Sequence, residues 1–130
     1  MLPESDLVRY GRQILYPNFG KEGQKKLKES HVVVVGLGGL GSPASIYLAC
    51  AGVGHITIVG CGRVDLSNLN RQILHWEEDI GERKSVVAGQ KLTQLNRLNG
   101  GCPCLLNGET MESTFVDLIK KPDCKVCGGD

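Results

Sequence analysis

The chain has 130 residues, with 15 basic and 14 acidic side chains and a formal net charge of +1. That length suits a single domain able to bury about two-thirds of its unfolded surface. The balanced charge offers no basic stripe for nucleic acid, no apolar stretch is long enough to span a bilayer, and no basic-then-apolar leader opens the chain, so neither nucleic acid nor membrane is expected as a partner and the expected compartment is the cytoplasm.

Residues 5–15 read as a short amphipathic helix, with Leu7, Val8 and Ile14 apolar, Arg9 and Arg12 polar, and Pro17 ending it. Residues 20–29 read as a second helix, whose Lys21, Lys25, Lys26 and Lys28 interleave with Glu22 and Glu29 as a solvated face rather than a polyanion site. The run His31-Val32-Val33-Val34-Val35 suits a strand buried on both faces of a parallel sheet. Directly behind it comes Gly36-Leu37-Gly38-Gly39-Leu40-Gly41, whose glycines let the chain turn sharply and bring backbone N–H groups to a phosphate. Ser42 is a good N-cap and Pro43 suits the first helical position, so a helix over 43–51 aims its positive end at whatever the loop holds. The pattern predicts a nucleotide site.

Gly52-Val53-Gly54 then reads as a C-cap and turn. His55-Ile56-Thr57-Ile58-Val59 reads as a second strand, completing a β-α-β unit with a right-handed crossover. Residues 63–76 form a polar connection in which His75 and Trp76 read as packing residues. Helix returns over 84–98, where Ala88, Leu92, Leu95 and Leu98 share a face, and Asn99-Gly100-Gly101-Cys102-Pro103 breaks it. Residues 111–120 fit helix and strand equally well. Of the six cysteines, Cys50 and Cys61 read as buried small apolar residues. Cys102 and Cys104 form a C-x-C and Cys124 and Cys127 a C-x-x-C, which favours metal or thiol chemistry over a disulfide framework.

A glycine fingerprint is shared by dinucleotide enzymes and several ATP users. The dinucleotide rule asks for an acidic residue about 20 positions on, at the end of the second strand. Here that strand ends Val59-Gly60-Cys61-Gly62-Arg63, without a carboxylate; an NADP-binding domain would have to use Arg63 against a 2′-phosphate.

Three further motifs flank the fingerprint. Arg9-Tyr10-Gly11-Arg12-Gln13-Ile14 precedes the first strand, Val64-Asp65-Leu66-Ser67-Asn68-Leu69-Asn70-Arg71-Gln72 follows the second, and Gly81-Glu82-Arg83-Lys84 opens the next helix. In this order, through residues 4–99, the chain resembles the ThiF/MoeB/HesA family, relatives of the ubiquitin-activating enzymes. The resemblance implies an α/β, Rossmann-like fold, a mostly parallel sheet with helices on both faces and nucleotide at the strand ends. Residues 1–99 would form the ATP-binding domain with its N-terminal helices, and 100–130 a C-terminal cysteine-containing segment. It implies an enzyme that uses ATP and Mg²⁺ to adenylate the C-terminal Gly-Gly carboxylate of a ubiquitin-like sulfur-carrier protein of molybdopterin or thiamine synthesis. By position in these motifs, Arg12, Arg71 and Lys84 match the catalytic set, with Arg12 reaching into the phosphate site of a partner subunit. Gly36, Gly38, Gly39, Leu40, Gly41 and Asn68 match the nucleotide-binding set. A homodimer, or a dimer with a full-length relative, is implied. Singly, Arg12 and Arg71 read as surface ion pairs, whereas a lysine at a helix start, as at Lys84, opposes the helix dipole and favours a functional role.

Two departures stand out. The family carries an Asp-x-Asp pair at the end of the second strand, its first aspartate holding the ribose, where this chain has Gly60 and Gly62; Asp65 lies nearby but out of register. Losing that carboxylate costs about 1.5–3 kcal/mol of nucleotide binding, the scale of a charged hydrogen bond. The family's further strands, its magnesium aspartate, crossover loop and first C-x-x-C are not recognisable either, as though the family's first part were joined to its last segment near 99–104. A Zn²⁺ site wants four ligands. Cys124 and Cys127 offer a half-site that Cys102 and Cys104 complete only at poor spacing. A catalytically inactive relative, acting as a carrier-binding or dimerisation module, is therefore the first alternative to the enzyme, and a small NAD(P)-binding domain the second.

Overall fold

The structure is a computed structural model that describes residues 1–96 and two short strands at 104–106 and 113–115. In chain order the elements are α1 (Glu4–Arg9), α2 (Gly11–Ile14), α3 (Gly20–Glu29), β1 (His31–Val35), α4 (Gly41–Ala51), β2 (His55–Val59), α5 (Lys84–Leu95), β3 (Cys104–Leu106) and β4 (Ser113–Phe115). Single 3-10 turns at Leu66–Asn68 and Glu77–Asp79 punctuate the long connection into α5.

The sheet runs β1-β2-β3-β4. β1 and β2 pair in parallel, His31 opposite His55 through Val35 opposite Val59; β3 joins β2 in parallel, and β4 closes antiparallel on β3. Because side chains alternate along a strand, Val34, Ile56 and Ile58 share one face. There they meet Ala49 of α4 and Ala88 and Leu92 of α5, and these form the centre of the core with Leu37, Val53 and Leu74.

β1 is not buried on both faces. Val33 is 56 % and Val35 78 % exposed, because α4 and α5 cover the same face and β1 is the end strand of the sheet. The helix expected over 5–15 is two short helices that part at Tyr10, a buried residue whose hydroxyl accepts a hydrogen bond from Asn96. α3 has the expected bounds, and its Lys28 pairs with Asp6. α5 ends at Leu95, where Asn96 turns to extended backbone; Leu98 lies outside the described residues. Cys50 and Cys61 are exposed rather than buried, since Cys50 lies on the solvent side of α4 and Cys61 in the turn after β2. Within 111–120 the described part, Ser113–Phe115, is strand.

The C-terminal end of α4 is closed by side chains from other helices. The Ala51 carbonyl accepts from Gln13 Nε2 at 2.7 Å and Gln24 Nε2 at 3.0 Å, and the Ala49 carbonyl from Asn96 Nδ2 at 2.6 Å. The Ala49 carbonyl also accepts the Gly52 N–H at 3.1 Å, and Gly52 at φ +92° supplies the left-handed turn that ends the helix.

Candidate nucleotide site

The glycine loop leaves the end of β1 and folds back on itself. Gly36 adopts φ +88° while its N–H donates to the Val59 carbonyl at 2.8 Å, tying the loop to β2. A Cβ at Gly41 would stand 1.7 Å from the Gly36 carbonyl oxygen, so only glycine lets α4 start here. Ser42 is not the N-cap. The helix begins one residue before it, Leu40 occupies the cap position, and the fully buried Ser42 hydroxyl turns inward to donate to the Leu37 carbonyl at 3.0 Å. Pro43 therefore sits third in the helix, still within the first turn, where its missing N–H breaks no helical bond.

Between the strand ends lies a cleft of about 270 Å³. Val35, Gly36, Leu37 and Gly38 form one wall and Val59, Gly60, Cys61, Gly62 and Lys84 the other. Lys84 opens α5, its N–H donating to the Gly62 carbonyl at 2.9 Å. Its stem runs alongside Gly62, where a Cβ would come within 3.5 Å of Cδ and 3.7 Å of Nζ. A cation thus faces the helix N-terminus across the cleft, and both favour phosphate.

Arg71 lies over the loop, its stem 3.6 Å from where a Cβ of Gly39 would be and its guanidinium donating to the Ser67 carbonyl at 2.9 Å and Asn70 Oδ1 at 3.0 Å. Asn68 Oδ1 accepts the Asp65 N–H at 3.1 Å, and Asp65 Oδ1 accepts the Ser67 hydroxyl at 2.6 Å and N–H at 2.9 Å. The Ser67 hydroxyl above all, with its N–H, holds the Asp65 carboxyl below its ordinary pKa. Asp65 is thereby engaged as a turn cap rather than as a ribose acid. Arg63 donates to the Gly81 carbonyl at 2.7 Å, away from the role an NADP site would give it.

The fold therefore brings together the Gly36–Gly41 loop, Lys84 and Arg71, with Asn68 one turn before Arg71. It does not bring Arg12 to them. Arg12 is exposed on α2, whose next residue, Gln13, is bonded to Ala51 at the far end of α4, about 16 Å of helix from the loop. Among the described residues no group of three or more His, Cys, Asp or Glu is arranged to hold a metal. Cys102, Cys124 and Cys127 lie outside the described residues.

Two residues lie beneath the loop: Gln72, to which the sequence assigned no role of its own, and His75, which read as a packing residue. Gln72 is 4 % exposed, with Nε2 3.9 Å from the Cβ position of Gly38. His75 is 2 % exposed, with Nε2 3.3 Å from the Leu37 carbonyl. Gln72 Oε1 and His75 Nδ1 are buried with no partner among the described residues. Trp76 is half exposed and receives the Lys91 ammonium 3.6 Å from its ring centre; Lys91 also pairs with Asp79.

A parallel β-α-β unit whose glycine loop opens onto a helix N-terminus, with a lysine on the facing lip, defines a Rossmann-like domain. The chain belongs to the ThiF family, whose model matches residues 10–124. It is 50 % identical over 95 residues to a sulfur carrier protein adenylyltransferase of Thermus thermophilus, covering 73 % of this chain and 35 % of that protein. It is 53 % identical over 93 residues to the sulfur carrier protein ThiS adenylyltransferase of Escherichia coli, covering 72 % and 37 %. The chain thus spans about a third of the length of these relatives. Among solved structures, the E. coli tRNA N6-threonylcarbamoyladenosine dehydratase in complex with AMP superposes with a TM-score of 0.73 at 27 % identity, covering 82 % of this chain and 42 % of that one.

Proposed function

We propose that this chain binds ATP in the cleft and adenylates the C-terminal Gly-Gly carboxylate of a ubiquitin-like sulfur-carrier protein of the molybdopterin or thiamine type, in the cytoplasm. The observation that carries the proposal is the closed Gly36–Gly41 loop on the α4 N-terminus with Lys84 on the facing lip. The relatives named as sulfur-carrier adenylyltransferases supply the substrate class. In the reaction a carboxylate oxygen attacks the α-phosphorus, the bond to the β-phosphate breaks and pyrophosphate leaves. The loop amides and Lys84 hold the phosphates and offset the growing negative charge, and Arg71 supplies a second cation beside Gly39. Asn68 holds the Arg71 segment in place through its bond to Asp65. Arg12, turned away from its own loop, acts on the site of a second subunit, a copy of this chain or a longer relative. Mg²⁺ would be carried by the phosphates of the nucleotide and by water, as this ion usually is in such sites.

The glycines at 60 and 62 and the engaged Asp65 favour one second reading, an inactive relative that binds a carrier or dimerises. Pyrophosphate exchange separates the two. Labelled pyrophosphate is expected to enter ATP only when a Gly-Gly-terminated carrier is present. ATP binding without exchange at high protein concentration would leave the inactive reading standing.

A further inference from the structure

The amides of the loop are ligands that no side chain replaces, and their direction is set by what holds the loop's carbonyls. Two buried donors converge on the Leu37 carbonyl, Ser42 Oγ at 3.0 Å and His75 Nε2 at 3.3 Å. A carbonyl oxygen only accepts, so the imidazole proton sits on Nε2, and the two donors occupy both lone pairs of the oxygen. Burial lowers the His75 pKa and keeps the ring neutral, which preserves this tautomer. The Leu37–Gly38 peptide is planar and trans, so its N–H points opposite to its C=O. With the carbonyl drawn down onto Ser42 and His75, the Gly38 N–H faces away from them, and Gly38 is itself one of the residues that line the cleft. Ser42 also donates its own N–H to the Gly38 carbonyl at 3.1 Å, which holds the next peptide in the same sense.

We infer that Ser42 and His75 are positioning residues that clamp the Leu37 carbonyl and thereby aim the Gly38 amide at a phosphate of the bound nucleotide. They act through the loop and touch no ligand. The segment that carries His75 also carries Gln72, packed beside Gly38, so residues 72–75 back the loop from below. The identity of the ligand rests on the nucleotide reading above, whereas the clamp stands on the geometry of the chain.

The full chain, ¹⁵N-labelled, tests both parts. His75→Phe keeps ring volume and removes the donor, His75→Gln returns an N–H at the same reach, and Ser42→Ala removes the other donor with the least change in shape. The wild-type imidazole is expected to show a protonated Nε2 and a bare Nδ1. The Gly38 amide resonance should move in His75→Phe and in Ser42→Ala and return toward wild type in His75→Gln. ATP affinity, by calorimetry, should weaken about three- to tenfold in the first two variants, the loss of one ordinary hydrogen bond, with adenosine affinity unchanged and His75→Gln restoring ATP binding. If His75→Phe does not fold, Ser42→Ala carries the same comparison. A Gly38 amide that stays put in the folded variants, an Nδ1-protonated ring, or equal weakening of ATP and adenosine would overturn the clamp. A wild-type chain that binds no ATP, while its Gly38 amide still answers to Ser42→Ala, would overturn the nucleotide reading and support the clamp.

Discussion

His75 has one ring nitrogen on the Leu37 carbonyl and the other facing no partner among the described residues, so a second proton would place a charge where none of them receives it. Burial is the largest influence and pushes its pKa below the ordinary 6.5; the Leu37 carbonyl pulls the other way, and the Lys84 cation adds to the depression. An unfolded chain therefore takes up a proton at a pH where the folded chain does not. The resulting stability is complete above 6.5 and is lost as pH falls through the window beneath it. Two carboxylates also sit low. The Ser67 hydroxyl and N–H lower Asp65; burial raises Asp79, but its bonds from Lys91 and the Trp76 N–H outweigh that. Both start from an ordinary value of 3.8, so their windows lie in more acid solution than that of His75. Urea midpoints of the wild type are expected to decline from about pH 7 to about pH 5, and those of His75→Phe to change much less. A wild-type midpoint that stays level across that range would contradict the assignment.

Along β1 the alternation of a strand decides what each valine contributes. Val34 lies under α4 and α5 in the core, whereas Val33 and Val35 point to the face those helices leave open. Val34→Ala is expected to cost about 2 kcal/mol in chemical denaturation, and Val33→Thr to stay within about 0.5 kcal/mol. Equal losses would mean that both faces of the strand are covered in solution. Strand and helix positions were legible in the sequence because their signals are local: β-branched runs bounded by Ser and Gly mark β1 and β2, and the bounds of α3 follow its charged stretch. Burial was not legible, because it depends on where distant elements fold back. Four adjacent valines look alike until two helices settle on one face, and Cys50 reads as apolar until α4 turns it outward. The site divides in the same way. Its glycine loop is a contiguous motif, but the contact of His75 with Leu37 spans 38 residues and Ser42 reads as a cap from its neighbours alone. Arg71 stood out only through family resemblance, and Lys84 also through its unfavourable place at a helix start, but no local rule ties that lysine to a glycine 22 positions upstream, or a loop arginine to Gly39.

Taken whole, the molecule sets two separate structures at opposite ends of one helix. The α4 N-terminus carries the loop; its C-terminus carries a polar knot in which the fully buried Gln24 accepts from Gln13 and donates to Ala51, and Gln13 donates to Ala51 as well. Backbone bonds from Gly54 to Leu27 and from His55 to Ser30 hold the end of α3 independently of that knot. The short helix α2, with Arg12 on its surface, depends on the glutamines more heavily. Gln24→Leu removes both of its bonds and leaves the half-buried amide of Gln13 with one partner fewer, a loss of about 1–3 kcal/mol. The expected result is local: faster amide hydrogen exchange in Gly11–Ile14, with α4, α5, β1 and β2 protected as before. ATP affinity should stay within about twofold of wild type, because the loop lies beyond the distance at which substitutions usually couple. Carrier-dependent pyrophosphate exchange should nevertheless fall under the proposed function, in which Arg12 acts on the site of a second subunit from this end of the molecule. A parallel fall in ATP affinity would show that the two ends are not separable, and unchanged exchange with a loosened α2 would remove Arg12 from the reaction.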